Sequence, residues 1–332
     1  MAEEKEDPRE TPWHPRHAQH IRGHKQARDT ISAAFASGKA HHAWLFAGPR
    51  GVGKATLAYA LARGILSGLP PAEYFAHEPV GQHAKWIAAK AHPDMKVLER
   101  RWDDKKLKTE IVVDDARELG AFLSLTSGSG KWRIVIVDAA DDLNINAANS
   151  LLKLIEEPPP RTLLMLVAHN PGRVLRTIRS RCVTLKFDPL SEDDALAVLR
   201  GLSLPGHHND QELLAALHLA PGSPGRAIEL IDAPGAQAFR AYLAHRPRGI
   251  AHTAAFAAKH FQRLGRMDDV EIFGALLQEW LAKQAKESPQ PALADAYNSI
   301  GQSIRMAAAF NLDQRQTVAE SLGLADDALK RA

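Results

Sequence analysis

The residue types and spacing best able to do chemistry lie in Gly48-Pro49-Arg50-Gly51-Val52-Gly53-Lys54. This is the G-x-x-x-x-G-K spacing of a phosphate-binding loop, in which glycines let backbone N–H groups close around an anion and the lysine adds positive charge. The apolar run Ala43 to Ala47 precedes it and a helical pattern, Leu57 to Leu66, follows. Strand, glycine loop and helix N-terminus therefore come in the order a phosphate site needs. Gly48, Gly51, Gly53 and Lys54 are the candidate nucleotide-binding residues, and the backbone N–H of Thr56 stands beside them. A second apolar run, Arg133 to Asp138, reads as a buried strand ending in an acid, the usual holder of a metal in a nucleoside triphosphatase. A glycine turn alone need bind nothing; coupled to Asp138 it reads as a nucleotide site.

Two positions argue against rapid turnover at that site. The residue after Lys54 is Ala55, where a Ser or Thr hydroxyl would ligate magnesium. Thr56 comes one residue late, and a helix turns its side chain roughly 100 degrees away. After Asp138 stands Ala139, which can neither orient nor activate a water. The expectation is ATP or ADP held without fast hydrolysis, with magnesium binding weakened.

The elements that must position these residues alternate. Helical spacing covers Lys25 to Ser37, Val113 to Thr126 and Ala147 to Glu156, with strands at Met95 to Leu98, Leu163 to Val167 and Val183 to Phe187. Arg173 to Arg181 reads as a short basic helix. Such alternation argues a mainly parallel sheet covered on both faces. From Ser191, a candidate N-cap, the chain reads as helical, with no strand signal after about Gly235 and breaks at Pro247 and Gly265. Trp13 is the candidate anchor of an otherwise polar start.

Composition excludes some classes of function. The 332 residues are 45% hydrophobic and 24% charged, ordinary globular values that suggest two or three domains. No apolar run of about 18 residues is present, and the first residues lack an apolar signal core, so a cytoplasmic protein is expected. A lone cysteine, Cys182, excludes an internal disulfide and a cysteine zinc finger. The net charge of +3 permits contact with nucleic acid and does not favour an independent nucleic-acid remodeller.

Several stretches resemble the clamp-loader branch of the AAA+ ATPases. His41 to Lys54 looks like that family's P-loop region, and Ile21-Arg22-Gly23-His24-Lys25 resembles its short box contacting the nucleotide base, with His24 where relatives have Gln. Asn149 to Pro159 is similar to the family's signature helix, and Ser180-Arg181-Cys182 matches its Ser-Arg-Cys motif. Together these cover residues 20 to 230. The polar, Pro- and His-containing residues 1–18 read as a flexible arm, and the resemblance implies an α/β P-loop NTPase (AAA+) domain with a parallel sheet over 19–188, a small helical lid domain over 189–234 and an all-α collar domain over 235–332. It implies that Arg181 is an arginine finger acting in trans on the nucleotide of a neighbouring subunit, and that Arg226 stands at the second-domain sensor position.

Departures from the family narrow the expectation. Relatives often carry a four-cysteine zinc module where this chain has only His77, His83 and His92, so no zinc or other metal module is expected. Motor subunits carry Lys-Thr or Lys-Ser and Asp-Glu where this chain has Lys54-Ala55 and Asp138-Ala139. The resemblance thus implies a non-motor subunit with little or no ATPase of its own. Its partners would be the other subunits of a hetero-pentameric ring, the sliding clamp and primed DNA, with no membrane. An active motor subunit of the same complex, gamma- or tau-like, is the alternative.

Overall fold

A computed structural model describes residues 7, 9–75, 80–103, 106–124, 132–206, 208–246, 249–261 and 267–331. They divide into two compact units, Met1–Ala227 and Ile228–Ala332. In the first, α1 (Lys25–Ala36) leads to β1 (Ala43–Ala47), then α2 (Lys54–Leu66) and α3 (Gln82–Ala88). β2 (Met95–Glu99) is followed by a two-stranded ribbon, β3 (Trp102–Asp103) with β4 (Lys106–Leu107), and by α4 (Val113–Ser124). Next come β5 (Arg133–Asp138), α5 (Ile145–Glu156), β6 (Thr162–Ala168), α6 (Arg176–Arg179) and β7 (Val183–Lys186). Three helices follow: α7 (Glu192–Arg200), α8 (Asp210–Leu219) and α9 (Pro224–Ile231), the last of which continues into the second unit from Ile228.

The sheet runs in the order β2-β5-β6-β1-β7, with every pairing parallel. Its three central strands, β5, β6 and β1, are apolar on both faces because helices cover both. Trp44, Phe46, Ile134, Ile136, Leu163 and Met165 point into one core with Ile31 of α1 and Leu57, Leu61 and Ile65 of α2. The alternate residues Leu45, Val135, Val137, Leu164 and Leu166 share the other core with Leu119 of α4 and Leu151 and Ile155 of α5. This is why β6 reads as an unbroken apolar run: all of Thr162–Ala168 is buried.

Element boundaries differ from the sequence reading where local chemistry intervenes. The polar stretch after α2 contains α3, too short for its pattern to register, and His77 of that stretch lies outside the described residues. The basic helix shrinks to Arg176–Arg179, because the preceding turn of Asn170, Pro171 and Gly172 is closed by Arg173 N donating to Asn170 O (3.0 Å). α5 starts at Ile145, capped by Asn144, whose Oδ1 accepts from Ala147 N (2.9 Å). Thr126, Pro247 and Gly265, where other ends and breaks were expected, also lie outside the described residues.

The second unit takes α10 (Pro234–His245), α11 (Ile250–His260), α12 (Met267–Glu287), α13 (Pro291–Phe310) and α14 (Gln314–Arg331). Its described residues contain no strand. Phe239, Tyr242, Phe261 and Phe273 bury an aromatic centre, and Gly235 lets α10 lie against the backbone of Asp269, which a Cβ there would strike. No helix among the described residues is long and apolar enough to cross a membrane.

Residues 9–18 pack on the first unit, and their anchor is Arg16 rather than Trp13. The Arg16 side chain is 4% exposed, paired with Glu10, and Glu10 also holds Lys90 (2.8 Å). From α2, buried Arg63 donates to the carbonyls of Arg16 (3.2 Å) and Ala18 (2.9 Å), and His14 meets the Tyr59 ring edge-on at 5.8 Å. Burial lowers the Arg63 pKa to about 10, and the two carbonyls satisfy the buried guanidinium. Deleting residues 1–18 is therefore expected to cost about 1–3 kcal/mol of folding stability. Urea melts of the full and shortened chains check this; identical midpoints would mean that the segment contributes no packing.

Candidate functional site

The Gly48–Lys54 loop leaves the C-terminal end of β1 and enters α2 at Lys54, with Gly51 and Gly53 at φ +79° and +108°. Those left-handed conformations suit glycine and turn the chain sharply enough to form a nest. Every carbonyl from Gly48 to Val52 is taken. Lys54 Nζ donates to Gly48 O (2.7 Å) and Pro49 O, Ser223 Oγ to Arg50 O (2.6 Å), and Gly225 N to Gly51 O (2.9 Å). His24 Nε2 lies 2.7 Å from Val52 O and, with only a carbonyl to meet, must carry the donated hydrogen. Because a peptide's N–H points opposite its C=O, the amides of Gly51, Val52 and Gly53 face away from these anchors.

Close approach makes the arrangement possible. A Cβ on Gly48 would strike the Phe187 carbonyl, and one on Gly51 would stand 2.5 Å from Arg226 N and from Ser223 Oγ. The turn at the start of α9 thus sits directly on the loop, with the backbone of Arg226 against Gly51. Thr56 follows one residue beyond Ala55 on α2, half-buried.

The acidic side is positioned by register. β6 lies between β1 and β5, with Ala47 beside Ala168 and Val167 beside Asp138. Asp138 therefore ends its strand on the same sheet edge as Gly48, two strand spacings or about 10 Å across. Burial, and next the Glu99 carboxylate beside it on β2, push the Asp138 pKa up to about 6. Burial likewise pulls Lys54 down to about 8, against the pull of Asp138 and Asp141. The lysine side chain is only 2% exposed.

Asp141 and His169 escaped the sequence reading. Asp141, buried, accepts from the backbone N–H of His169 (2.9 Å) and Asn170 (3.0 Å), tying the end of β6 to the turn after β5. His169 stands between the loop and Asp138; burial lowers its pKa to about 4, and its Nδ1 is buried without a hydrogen-bond partner among the described residues. The available signal was the polar pair His169-Asn170 closing an apolar strand. Ser223 had no such signal, being 173 residues from its partner Arg50.

Tested against a nucleotide, the donor set splits. The backbone amides opposite the anchored carbonyls, and the orphaned His169 Nδ1 when it carries the ring hydrogen, suit phosphate oxygens. Magnesium fits poorly, since Ala55 offers no hydroxyl to ligate it. Near His92, the described histidines engage each other: Asp94 N donates to His92 Nδ1 (3.0 Å), so His92 Nε2 carries the hydrogen given to His83 Nδ1 (2.8 Å). Among the described residues no group of three or more His, Cys, Asp or Glu is placed to hold a metal ion.

Arg181 lies elsewhere. Val183 pairs with Trp44 and Lys186 with Ala47, so the residues before β7 stand at the sheet edge opposite the loop, more than about 13 Å along the strands. There Arg181 Nη2 meets Glu156 (2.8 Å) and Nη1 donates to Thr177 O (3.1 Å). Cys182 is half-buried, and burial pushes its thiol up to about 12, so it stays an inert thiol.

Two measurements check this geometry. Gly48→Ala should cost about 1–3 kcal/mol in urea melts, since the Phe187 carbonyl it would strike is backbone; a neutral effect would contradict the close approach. His14, lowered to about 3, and His169 stay neutral in the fold where the unfolded chain protonates below about pH 6.5, so each removes stability as pH falls. Asp138, raised to about 6, keeps a proton in the fold that the unfolded chain has lost, which offsets one histidine between about pH 6 and 4. Net stability should fall by about 1 kcal/mol per pH unit below pH 6, and His169→Asn should flatten the slope. Equal urea midpoints at pH 7 and 5 in the parent chain would contradict buried neutral histidines.

Comparison with known proteins places this architecture. The family model described as DNA polymerase III, delta subunit, matches residues 23–191, about half of the chain. The delta' subunit of DNA polymerase III from Pseudomonas aeruginosa is 38% identical over 57% of this chain and 55% of its own length. A gamma subunit from Buchnera aphidicola is 30% identical over 66% of this chain and 59% of its own. The chain thus matches less than two thirds of the length of these relatives. The crystal structure of a DNA polymerase III gamma subunit-related protein from Thermotoga maritima superposes with a TM-score of 0.50 at 14% identity, covering 91% of this chain and 99% of that one, a likeness of fold. The chain belongs to the DNA polymerase III delta-subunit family, and within it resembles the delta' subunits.

Proposed function

We propose that this chain is a non-motor, delta'-type subunit of the DNA polymerase III clamp loader, supplying Arg181 to a nucleotide held by a neighbouring ATPase subunit. The observation that carries the reading is the sheet register, which puts Arg181 on the edge opposite its own phosphate-type loop. A cation there cannot serve Lys54's site, whereas it can reach a nucleotide presented by another subunit. Exposure supports the same division: the Arg181 side chain is 41% exposed and Lys54 is 2% exposed. Ala55 and Ala139 oppose the motor reading, which the similarity to gamma subunits would otherwise favour.

In this reading residues 19–188 form the P-loop domain, 189–234 a lid and 235–332 a collar through which subunits join a hetero-pentameric ring. The ring loads a sliding clamp on primed DNA in the cytoplasm. ATP or ADP phosphates would lie against the amides of Gly51 to Lys54, near Arg226. The bound nucleotide brings the phosphoryl group; the chain's own residues orient it and, lacking a water-directing acid at position 139, leave it unspent.

The test is ATP hydrolysis by the reconstituted complex. Arg181→Ala should slow the adjoining subunit's site by about 10³-fold or more, which the whole complex reads as loss of one site's share of turnover. Assembly, followed by size-exclusion chromatography, should be unchanged. Lys54→Ala should leave hydrolysis within about twofold, since little turnover is expected at its site. An unaltered rate with Arg181→Ala would remove the finger role, and a large loss with Lys54→Ala would favour the motor reading.

A further inference from the structure

Four arginines cluster on the exposed surface around α6: Arg173, Arg176, Arg179 and Arg181. Among the described residues only Arg181 is held by an ion pair, through Nη2 to Glu156 (2.8 Å), and it also gives Nη1 to Thr177 O (3.1 Å). Both ends of that clasp rest on fixed backbone. On the arginine side, Ser180 N, Arg181 N and Cys182 N close a turn onto Arg176, Ile178 and Arg179, and Ile178 is fully buried. On the carboxylate side, Glu156 ends α5, where His42 Nε2 donates to Ile155 O (2.7 Å) and Glu157 N to Lys153 O (3.1 Å). His42 leads into β1, the direct neighbour of β7. The two fixed points are thus joined through adjacent strands of one sheet.

Resting on the trans role of Arg181 argued above, we propose that Glu156 is a positioning residue that holds the Arg181 guanidinium in its presenting orientation before a neighbour's phosphate arrives. An exposed ion pair of this kind contributes little to folding. Its effect lies in the arginine's freedom: a long side chain with much rotamer entropy is restrained at both terminal nitrogens, so less is lost when it meets the phosphate. Glu156 and Thr177 O each meet one terminal nitrogen, and a guanidinium has five N–H donors, so donors remain for the anion's oxygens.

A double-mutant cycle in the reconstituted complex tests this, with ATP hydrolysis as readout and urea melts of the lone chain as a fold control. Glu156→Ala should lower the kcat of the site that Arg181 serves by about three- to tenfold, with KM for ATP and the urea midpoint little changed. Glu156→Gln, which keeps a hydrogen-bond acceptor for Nη2, should recover part of the loss. In the Arg181→Ala background Glu156→Ala should add nothing, because its effect passes through the arginine. Full activity of Glu156→Ala beside an impaired Arg181→Ala would overturn the positioning role and leave the finger standing. An equal loss from Glu156→Ala in both backgrounds would overturn it too, as an independent effect. An unimpaired Arg181→Ala would overturn the finger reading and this inference with it.

Discussion

The capture of the carbonyls of Gly48 to Val52 is the interaction on which the rest of the first unit depends. A free loop would exchange those groups with water and lose its shape. Here His24 before α1 takes one carbonyl, and Lys54 on α2 and the Ser223 to Gly225 turn of α9 take two each. The amide side of the same peptides is thereby set toward the anion face. Close approach requires glycine at Gly48, against the Phe187 backbone, and at Gly51, against the turn of α9. Any Cβ at either place would force the clamped segments apart.

Parallel register then separates two cations, Lys54 and Arg181. Loop, Asp138 and His169 gather at the C-terminal ends of β1, β5 and β6, while Ser180 to Cys182 precede β7 and stay at the opposite edge. Because helices return antiparallel to the strands, α5 carries its C-terminal Glu156 to that same edge. One sheet therefore holds a buried lysine turned onto its own loop and an exposed arginine directed outward. That separation is the physical basis for assigning the proposed chemistry of Arg181 to a neighbour rather than to this chain.

Local signals were legible in the sequence and long-range ones were not. The loop announced itself through glycine spacing, and β5 and β6 through uninterrupted apolar runs, because burial on both faces leaves no polar alternation to hide them. α3 went unseen since its seven residues are too few for a 3.6-residue pattern amid Gly, Pro and His. Trp13 drew attention as the large apolar side chain of the first segment. Arg16 anchors that segment instead, because its buried guanidinium pairs with Glu10 and donates Nε to His17 Nε2 (3.1 Å). Ser223 and Glu156 were illegible in principle: their partners lie 173 and 25 residues away, and nothing in either residue type names a partner.

The most direct measurement of the central claim is steady-state ATP hydrolysis by the isolated chain, compared with the same chain carrying Lys54→Ala. The clamped loop, Ala55 and Ala139 predict that the two are indistinguishable and far below the roughly 1 s⁻¹ or more of a working phosphoryl-transfer site. Turnover at that rate, abolished by Lys54→Ala, would contradict the account.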